Sequence, residues 1–439
     1  MSKQPTVSLG KLADIDRGVS WASSQETREP RPDSVPVLRI GNIQQRIDLS
    51  DLLFLNGVSE KQKRENTASR GSVMMVGSNG NHDRIGNCCR IDDEANYLFA
   101  SFLVGLVPHR EEVEPGYLFH VLRSRAVQDV ISASVTGSTG LANLSLSFLK
   151  GLEVFRPRSA DQQAIALFFD SFDRAIEQTE ALLAKQQRIK TGLMHDLLTR
   201  GLDAQGHLRD LSTHGFKTSP IGDIPADWEC PQVTDCLLRI EQGWSPNCIS
   251  ESAGANEWGV LKTTAVVWEG YAENENKTLP GRLSPKAWLE IMPKDVLMTR
   301  AGPNSRVGVV AYVAETRPRL LLSDKIYRLI PKADFVPEFL ALALSAERYQ
   351  RQLSQRKTGM AESQTNISQE IVLELRIQKP TRSEQEAIVN QINTLQRVVD
   401  QTKTSIAKLR RLKTGLMHDL LTGRVSVTPL LAEASSGNH

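Results

Sequence analysis

The sequence lacks the features that would place the chain in a membrane or in a secreted class of protein. No apolar run reaches the roughly 18 residues that a membrane-spanning helix needs, and the first ten residues do not show the basic and then apolar pattern of a signal peptide. The net charge is only +2 at pH 7, so the composition does not by itself indicate a nucleic-acid-binding domain. We expect a cytoplasmic chain without a membrane segment, in which any contact with a polyanion comes from locally placed Arg and Lys.

Cysteine is scarce, and its spacing excludes the common metal and redox motifs. Cys88 and Cys89 are adjacent, whereas Cys230, Cys236 and Cys248 are separated by five and eleven intervening residues. None of them forms the short C-x₂-C pair of a zinc or thiol redox site. The odd number of cysteines, five, also argues against a disulfide framework, so we expect reduced structural thiols and no metal site.

Signatures of catalysis are missing as well. The sequence contains no phosphate-binding P-loop and no H-E-x-x-H pair, no G-x-S-x-G elbow, no Rossmann-type glycine turn, and no Asn/Asp-Pro-Pro-aromatic segment of an amino-methyltransferase. His195-Asp196 and His418-Asp419 are adjacent pairs, but neighbouring residues on a helix do not face each other. We therefore assign these pairs to packing or partner contact, and predict no catalytic residue and no cofactor in this chain.

The sequence contains a tandem repeat of one long unit. Lys190–Thr199 recurs without change as Lys413–Thr422, at an offset of 223 residues. The same offset, within two residues, relates further segments: Arg17-Gly18-Val19-Ser20 and Gln242-Gly243-Trp244-Ser245, Val73-Met74-Met75 and Val296-Leu297-Met298, Asn143-Leu144-Ser145 and Asn366-Ile367-Ser368, and Gln162 and Gln385. So long a period excludes a solenoid, whose repeats are about 20 to 50 residues long.

Each unit begins with a globular region of mixed character and ends in a long helix. Short runs of β-forming residues, such as 35–40, 72–76 and 307–312, are separated by Gly, Asn and Pro turns and followed by a helical stretch. We predict an α+β fold with a pseudo-twofold internal repeat. The expected order is a globular domain at 1–158, a helix at 159–201, a linker at 202–220, a second globular domain at 221–381, a helix at 382–424, and a disordered tail at 425–439.

Both long helices carry apolar residues at heptad spacing. In the second copy these are Ile388, Ile392, Leu395, Val399, Ile406, Leu409, Leu416 and Leu420, and in the first Ile165, Phe168, Phe172, Ile176, Leu183, Leu193 and Leu197. The linker is too short to return along a helix of about 50 Å and still place a domain before a parallel partner. We therefore predict an antiparallel coiled coil, with packing of each helix on its own globular domain as the alternative.

Two polar, glycine-rich loops recur in both globular domains, at 77–84 and 136–143 and at 300–306 and 357–366. Arg can contact guanine bidentately and Asn or Gln can contact adenine, while Ser and Thr hold phosphates. A duplicated domain on a rigid spacer suits double-stranded DNA with two separated half-sites. The candidate DNA-binding residues are Ser78, Asn79, Asn81, Arg84, Thr136, Ser138, Asn143, Arg300, Asn304, Arg306, Lys357, Thr358, Gln364 and Asn366. Ordinary turns, and structural ion pairs of the arginines, are the alternative interpretation.

The unchanged decapeptides are candidates for binding a partner. Two identical stretches in a chain whose globular domains differ favour two equivalent surfaces, and basic residues near each decapeptide extend them. The candidate partner-binding residues are Lys190, Leu193, Met194, Leu197, Lys413, Leu416, Met417 and Leu420.

In the order of its parts, the sequence resembles the specificity subunit of type I restriction-modification systems. The resemblance extends over essentially the whole chain and depends on the order and duplication of motifs of low individual specificity. These motifs are Leu9-Gly10-x-x-Ala13-x-Ile15-x-x-Gly18, Ile221-Gly222-x-Ile224-Pro225-x-x-Trp228, Val296 to Gly302, Glu384-Gln385-x-x-Ile388, and the Leu-Met-x-x-Leu-Leu-Thr helix ends. The first helix departs from the pattern, since it begins with Asp161-Gln162 in place of Glu-Gln.

The resemblance implies two target recognition domains, each reading one half of a bipartite DNA sequence. The paired helices would set the spacing and dock two methyltransferase subunits, which carry S-adenosylmethionine and methylate adenine at N6. Motor-nuclease subunits would cut unmodified DNA. The alternatives are a coiled-coil scaffold that binds only proteins, a nuclease or methyltransferase fused to the readers, and the same subunit in a related methyltransferase-only system.

Overall fold

The computed structural model describes residues 5–136, 140–357 and 365–427. The chain forms two compact units, one made of Met1–Leu182 with Thr402–His439 and the other of Leu183–Gln401. Each unit therefore combines a globular region with part of each long helix, and differs in this respect from the sequence-contiguous domains expected at 1–158 and 221–381. The expected tail lies outside the described residues from 428 onward.

The described residues of the first unit form strands and helices in the following order: β1 (Thr6–Ser8), α1 (Leu9–Leu12), β2 (Ala13–Arg17), β3 (Glu26–Thr27), β4 (Val35–Leu38), β5 (Leu53–Leu55), α2 (Glu60–Asn66), β6 (Thr67–Ala68), β7 (Val73–Val76), β8 (Ser78–Asn79), β9 (Cys88–Arg90), β10 (Tyr97–Phe99), β11 (Leu103–Pro108), α3 (Pro115–Arg123), α4 (Arg125–Ser134), β12 (Ala142–Asn143), α5 (Leu146–Gly151) and β13 (Glu153–Phe155). The long helix α6 (Ser159–Thr199) follows and continues into the second unit.

The second unit continues with β14 (Phe216–Lys217), β15 (Ile224–Pro225), α7 (Val233–Cys236), β16 (Leu237–Gln242), β17 (Gly259–Leu261), β18 (Val266–Val267), β19 (Gly270–Tyr271), β20 (Asn276–Thr278), β21 (Val296–Thr299), β22 (Ala301–Gly302), β23 (Val310–Tyr312), β24 (Leu320–Leu321), β25 (Ile326–Pro331), α8 (Pro337–Ser345), α9 (Glu347–Ser354), β26 (Thr365–Asn366) and α10 (Gln369–Glu374). The long helix α11 (Arg382–Leu421) ends in the first unit.

A four-stranded antiparallel sheet with equivalent strand order lies at the centre of each unit. Its strand order is β2-β11-β7-β9 in the first unit and β16-β25-β21-β23 in the second. The strands β7 and β21 are buried along their whole length, which explains why their sequences are continuous apolar runs without alternation. A second sheet in each unit contains a parallel pair, β4–β10 and β17–β24. The expected α+β class and internal repeat are confirmed.

In the first unit, the start of α6 lies antiparallel to the end of α11. Asp173 pairs with Lys413, and further along α6 Glu180 pairs with Arg410, 2.6 Å away. The residue number thus rises along one helix as it falls along the other. Apolar side chains of both helices, including Phe169 of α6, enter the hydrophobic core of the first globular region.

In the second unit, the end of α6 lies beside the start of α11. Lys190 donates a hydrogen bond to Gln396, and Leu197 shares a hydrophobic core with Ile388 and Trp228. The predicted antiparallel pairing is therefore present within each unit. The alternative interpretation is also partly correct, because the helices pack on the globular regions as well as on each other.

Two equivalent buried glutamines join each long helix to the globular region beside it. The side-chain oxygen of Gln162 accepts from the backbone N–H of Glu114 (3.0 Å), and that of Gln385 accepts from the backbone N–H of Val336 (2.7 Å). In both cases the residue that donates its N–H immediately precedes α3 or α8, each of which begins with proline. The amide nitrogen donates to the carbonyl of the proline that precedes the long helix, so every polar atom of this buried side chain is satisfied.

Glu384 anchors the start of α11 to the segments that precede the second sheet. Its carboxylate accepts from both terminal nitrogens of Arg209 (2.6 and 3.1 Å), from the indole N–H of Trp228 (3.0 Å) and from the backbone N–H of Leu202 (2.8 Å). Arg209 and Glu384 are both nearly buried, with 9% of each side chain exposed. The side chain at position 384 must therefore be long enough to reach donors that lie outside its own helix.

The structure explains why the first long helix has Asp161 at the position where the second has Glu384. Asp161 pairs with Arg158 at the start of its own helix (3.0 Å), an ion pair between residues three apart. The shorter carboxylate is thus used locally, whereas Glu384 ties together three segments that are distant in sequence.

We predict that Glu384→Ala destabilises the second unit by about 2–4 kcal/mol, because it removes the nearly buried partner of Arg209, leaves the more exposed Asp227 to pair with that charge, and leaves the Trp228 N–H without its acceptor. The matched control is Glu386→Ala on the same helix. Glu386 pairs with Arg382 on the surface, and about half of each side chain is exposed, so its removal should cost about 1 kcal/mol or less. Denaturant unfolding of the full chain measures both, and equal effects would contradict the assignment.

Candidate nucleic-acid interface

The candidate DNA-binding loops of the first unit lie at one end of its central sheet. Arg17, Val76 and Leu103 occupy that end, because Arg17 pairs with Val104 and Val76 pairs with Leu103. The segments that leave the sheet here are 18–20, 77–84 and 100–102. Loop 77–84 is therefore held at both ends by the sheet.

The two loop types, which the sequence suggested as separate features, are joined by strand pairing in the first unit. Strand β8 of the first loop pairs with β12 of the second, with Ser78 opposite Asn143. The Ser78 hydroxyl donates to the Asn143 side-chain oxygen, and Thr136 forms an isolated bridge to Asn143. The two loops are thus joined by one small two-stranded platform, on which Asn143 is exposed.

Arg17 organises this platform, a role that the sequence did not reveal. Its guanidinium donates to the Ser78 hydroxyl (2.9 Å), the Leu144 carbonyl (2.9 Å) and the Ser101 carbonyl (3.3 Å). One planar cation therefore joins three chain segments at the end of the sheet. The only sequence signal was its place in the first repeat match, before Gly18.

Gly18, which follows Arg17, and the equivalent Gly243 are required in their units. A Cβ atom on Gly18 would lie 1.9 Å from the Phe99 carbonyl oxygen, and one on Gly243 would lie 2.0 Å from the Leu322 carbonyl oxygen. Both distances are far inside van der Waals contact, and the colliding atoms are backbone. The repeated glycine therefore permits the close approach that brings the segment after the first sheet strand beside the loop end.

The second unit has the same arrangement. Strand β22, in loop 300–306, pairs with β26, so that Ala301 lies opposite Asn366. Lys357 donates to the Asn304 backbone carbonyl (3.1 Å), and burial holds the pKa of Lys357 below its ordinary value. The two loops again meet at the end of the central sheet, where Thr299 pairs with Ile326.

Several candidate residues hold the loops themselves. Arg84 donates to the backbone carbonyls of Ile40 (3.2 Å) and Ile43 (3.0 Å), a structural role that differs from the ion pair considered as the alternative. Arg300 donates to the Asp324 carbonyl (3.2 Å) and lies 5.6 Å from the Tyr327 ring centroid. Ser78 is buried, and Arg306 is half-buried. The contacts of Ser78, Arg84 and Arg300 commit these three side chains to the frame of the site.

The remaining candidates differ in exposure. Asn81, Thr136, Asn143, Asn304 and Asn366 are exposed, whereas Asn79 and Lys357 are half-buried. The positions Ser138, Thr358 and Gln364 lie outside the described residues. The exposed asparagines therefore remain the best-placed base-reading candidates, and their contact with DNA stays a prediction.

Sequence reasoning missed an exposed residue between the loops in each unit. The Phe102 carbonyl accepts from the backbone N–H groups of Gly77 (2.9 Å) and Ser78 (3.1 Å), and its side chain is 46% exposed. The equivalent Lys325, at the repeat offset, accepts from the backbone N–H of Arg300 (2.9 Å) and is also exposed. A single Phe or Lys in an unremarkable run gives no signal of this position.

The candidate partner-binding residues are largely occupied within the chain. Leu197, Met417 and Leu420 are buried in the hydrophobic cores, and Lys413 is buried against Asp173. The other four, Lys190, Leu193, Met194 and Leu416, are half-buried. The buried apolar members cannot be reached by a partner, so docking at the decapeptides, which stays a prediction, is restricted to their outer faces.

Neither metal chemistry nor a membrane helix is indicated by the part of the chain that the structure describes. Within residues 5–136, 140–357 and 365–427, no group of three or more His, Cys, Asp or Glu side chains is placed to hold a metal ion. In the same ranges, no helix combines the length and apolarity that a membrane crossing requires. The five cysteines are free, and burial raises the pKa of Cys88 to about 12 and that of Cys89 to about 11, which leaves both thiols protonated and unreactive.

Comparison with solved structures identifies the fold. The crystal structure of the type I restriction-modification system S subunit from M. genitalium matches with a TM-score of 0.55 and 14% sequence identity, over 95% of this chain and 96% of that one. A chain from a structure concerned with complex assembly and conformational transition of the type I R-M system matches with a TM-score of 0.58 and 16% identity, over 97% and 100%. At these identities the similarity establishes the fold alone.

Sequence comparison gives relatives of one kind. The EcoEI specificity subunit of Escherichia coli is 39% identical over 186 residues, which is 42% of this chain and 31% of that protein. The MjaVIII specificity subunit of Methanocaldococcus jannaschii is 23% identical over 348 residues, 76% of this chain and 75% of that protein. The EcoKI specificity subunit of Escherichia coli is 21% identical over 431 residues, 95% and 88%.

A family model matches both copies of the repeat. The model described as the type I restriction modification DNA specificity domain covers residues 1–186 and 288–411, well over half of the sequence. These ranges include the first globular region with the start of α6, and the candidate loops of the second unit with most of α11. The duplicated sheet end, the paired helices and this match agree, and the chain belongs to the family of type I restriction-modification DNA specificity domains.

Proposed function

We propose that the chain is the non-catalytic specificity subunit of a type I restriction-modification complex, and that each unit reads one half of a bipartite DNA target. The observation that carries this proposal is that one loop platform is built twice on the same frame, with asparagines at equivalent exposed positions and a different exposed residue beside them, Phe102 in the first unit and Lys325 in the second. The frame is repeated in the glycines at Gly18 and Gly243 and in the pairing of β8 with β12 and of β22 with β26. A common frame with different exposed residues is what two readers of different half-sites require.

The exposed asparagines supply the chemistry of base reading. An Asn side chain can donate to N7 and accept from the N6 amino group of adenine in the major groove, a bidentate contact worth about 1–3 kcal/mol of discrimination. Asn143 and Asn366 occupy equivalent places on β12 and β26 and are both exposed. Each therefore serves as a matched control for the other.

We predict that deleting the gene removes N6-methyladenine at one gapped, bipartite motif in the source genome. Complementation with Asn143→Ala should relax methylation at one half of that motif, and Asn366→Ala should relax the other half, because each loses its own base contact. Modified-base sequencing of the four strains measures this. If no mark is lost on deletion, or if both variants alter the same half, the proposed division of labour is wrong.

The outer face of the long helices offers two equivalent docking surfaces for methyltransferase subunits. In α6 the exposed stripe consists of Lys185, Arg188, Gly192 and His195, and in α11 the equivalent positions are Lys408, Arg411, Gly415 and His418. Steps of three and four residues place each set on one helix face. Exposed Ile189 and Leu412, also at equivalent positions, add an apolar contact to each surface. The repeat thus preserves the exposed residues of the two long helices as well as the residues that pack inward.

The glycines of this stripe point to close packing of a partner. Glycine inside a helix costs roughly 0.5–1 kcal/mol relative to alanine, yet a Cβ on Gly192 or Gly415 would meet no atom within 4 Å. The chain itself therefore does not need glycine at either position. A partner whose backbone approaches closely would need it.

Gly192→Ala and Gly415→Ala should each raise the free energy of unfolding of the isolated chain by roughly 0.5–1 kcal/mol and yet weaken binding of one methyltransferase subunit. The double variant should weaken both. Native mass spectrometry of the complex and denaturant unfolding of the chain provide the two measurements. Stabilisation without any loss of partner binding would show that the glycines do not face a partner.

The partners would supply the reactions. The methyltransferase subunits would bind S-adenosylmethionine, and a motor-nuclease subunit would cut DNA that lacks the mark, with the present chain contributing neither a cofactor site nor a catalytic group. The same geometry would serve a complex without the nuclease.

If the paired helices set the half-site spacing, lengthening both should change the gap and leave the half-sites unchanged. Inserting four residues, about one turn, at equivalent places in α6 and α11 adds about 6 Å at 1.5 Å per residue, which corresponds to about two base pairs at 3.4 Å each. The motif recovered by modified-base sequencing should then have a gap about two base pairs longer. A change in the bases of either half-site would refute the spacing role.

A further inference from the structure

The second unit carries a cluster of two tryptophans and a lysine that the proposed loops do not include, in which Trp244 and Lys286 are half-buried and Trp288 is exposed. Trp288 is 72% exposed, in a short 3₁₀ helix (Ala287–Leu289). The Lys286 ammonium lies 4.6 Å from the ring centroid of Trp244 and 6.0 Å from that of Trp288. These distances are within cation–π range for the first ring and at its limit for the second. So large an exposed indole leaves much apolar surface in contact with water.

The exposure of Trp288 is imposed by a rigid support. The Arg328 side chain is 8% exposed, and its guanidinium donates to the Trp288 carbonyl (2.8 Å) and the Glu290 carbonyl (2.7 Å). The same group pairs with Asp295 (3.2 Å) and with Glu241 (2.7 Å). A buried cation thus fixes the backbone that presents the indole, so the ring is held outward by the fold.

The cluster is continuous with the candidate DNA-binding loops. Trp244 lies two residues after the end of β16, at the same sheet end as those loops, and its backbone N–H donates to the Leu322 carbonyl (3.0 Å). The next residue, Ser245, donates to the side chain of Asp324, whose carbonyl accepts from Arg300 (3.2 Å). A chain of direct contacts therefore leads from the cluster to loop 300–306.

The charges beside the cluster favour a polyanion. Among the residues that the structure describes, Lys286 and Lys325 form no ion pair with a carboxylate. One carboxylate, Asp324, lies in the same chain of contacts and keeps its charge, because its partner Ser245 is a neutral hydroxyl, so the two lysines still exceed it. Two cations and a flat apolar ring suit a sugar–phosphate backbone, since a phosphate neutralises a lysine and a deoxyribose covers an aromatic face.

The first unit lacks this feature. The position equivalent to Trp244 is Val19, which is 8% exposed and packs in a hydrophobic cluster. At the repeat offset, Lys286 corresponds to Lys63, which pairs with Glu60 (2.8 Å) on α2. The contact that this cluster makes is therefore supplied by the second unit alone.

We propose that Trp244, Lys286 and Trp288 contact the DNA backbone beside the second half-site and add affinity that does not depend on base sequence. This inference rests on the proposed function, because it assumes that the adjacent loops bind DNA. It makes the second unit the stronger anchor of the two, although both units share the same frame.

The test uses the full chain with Trp288→Ala and Lys286→Gln, and duplexes with and without the motif found by modified-base sequencing. Both variants should weaken binding to both duplexes by a similar factor, about threefold to tenfold, while the preferred motif is unchanged. Lys286→Gln should also reduce the slope of log K against log salt concentration by about one, as expected for one lost phosphate contact. Trp268→Ala, at the turn between β18 and β19 where the indole is 52% exposed, is the matched control and should bind DNA as the unaltered chain does.

Three results would overturn the inference. Unchanged DNA affinity and salt slope in Trp288→Ala and Lys286→Gln would show that the cluster does not contact DNA. Loss of methyltransferase binding with DNA affinity intact would identify it as a protein-docking surface. An equal effect of Trp268→Ala would show that any exposed tryptophan has the same influence. If the unaltered chain prefers no duplex, the proposed function fails first, and that outcome is distinguished by the wild-type measurement alone.

Discussion

An apolar stripe along a helix of about forty residues has to be covered, and the way this chain covers it determines the rest of the structure. Helices α6 and α11 contain 41 and 40 residues, and each has an apolar face too narrow to form a core by itself. In the first unit that face is covered by the repeat partner and by the globular region, and the same holds in the second. The compact units consequently cut across the sequence order, and residues at opposite ends of the chain share one hydrophobic core.

The same constraint explains why the repeated decapeptides are identical while their surroundings are not. Each decapeptide packs inward on a core built from similar residues, and its outward face stays exposed. The contacts at the inner edge still differ, because Lys413 meets the carboxylate of Asp173 where Lys190 meets the amide of Gln396. Burial lowers the pKa of Lys413, and the carboxylate opposes that effect. Identical decapeptides therefore contact different side chains at this position, Asp173 in one unit and Gln396 in the other.

The architecture could be predicted from the sequence because its signals are periodic. An offset of 223 residues and heptad spacing are visible without coordinates, and so were the polar loops, since Gly and Asn mark turns. The pairing of Ser78 with Asn143 could not be predicted, because it joins residues 65 positions apart through two-residue strands. Arg84 shows the same limit, since an arginine that caps carbonyls and one that reads guanine look alike in a sequence. Trp288 was missed for a related reason: tryptophan in a sequence favours a core position, and only the contacts of Arg328 reveal that the fold holds it outward.

A chain whose first unit is completed by its last helix has a distinctive order of assembly. During synthesis the first globular region and the start of α6 emerge well before residues 402–421, and at about 5–20 residues per second the wait is roughly 10 to 50 seconds. Throughout that interval the surface that Met417, Leu420 and Leu421 later cover is open to solvent, and the apolar face of α6 has no permanent neighbour. The second unit, whose segments are contiguous in sequence, can close first. The second unit, in the middle of the sequence, would then fold first, and the first unit, built from both ends of the sequence, would fold last. A nascent chain interrupted after residue 401 would therefore hold a folded second unit and a first unit whose hydrophobic core is open and prone to aggregation.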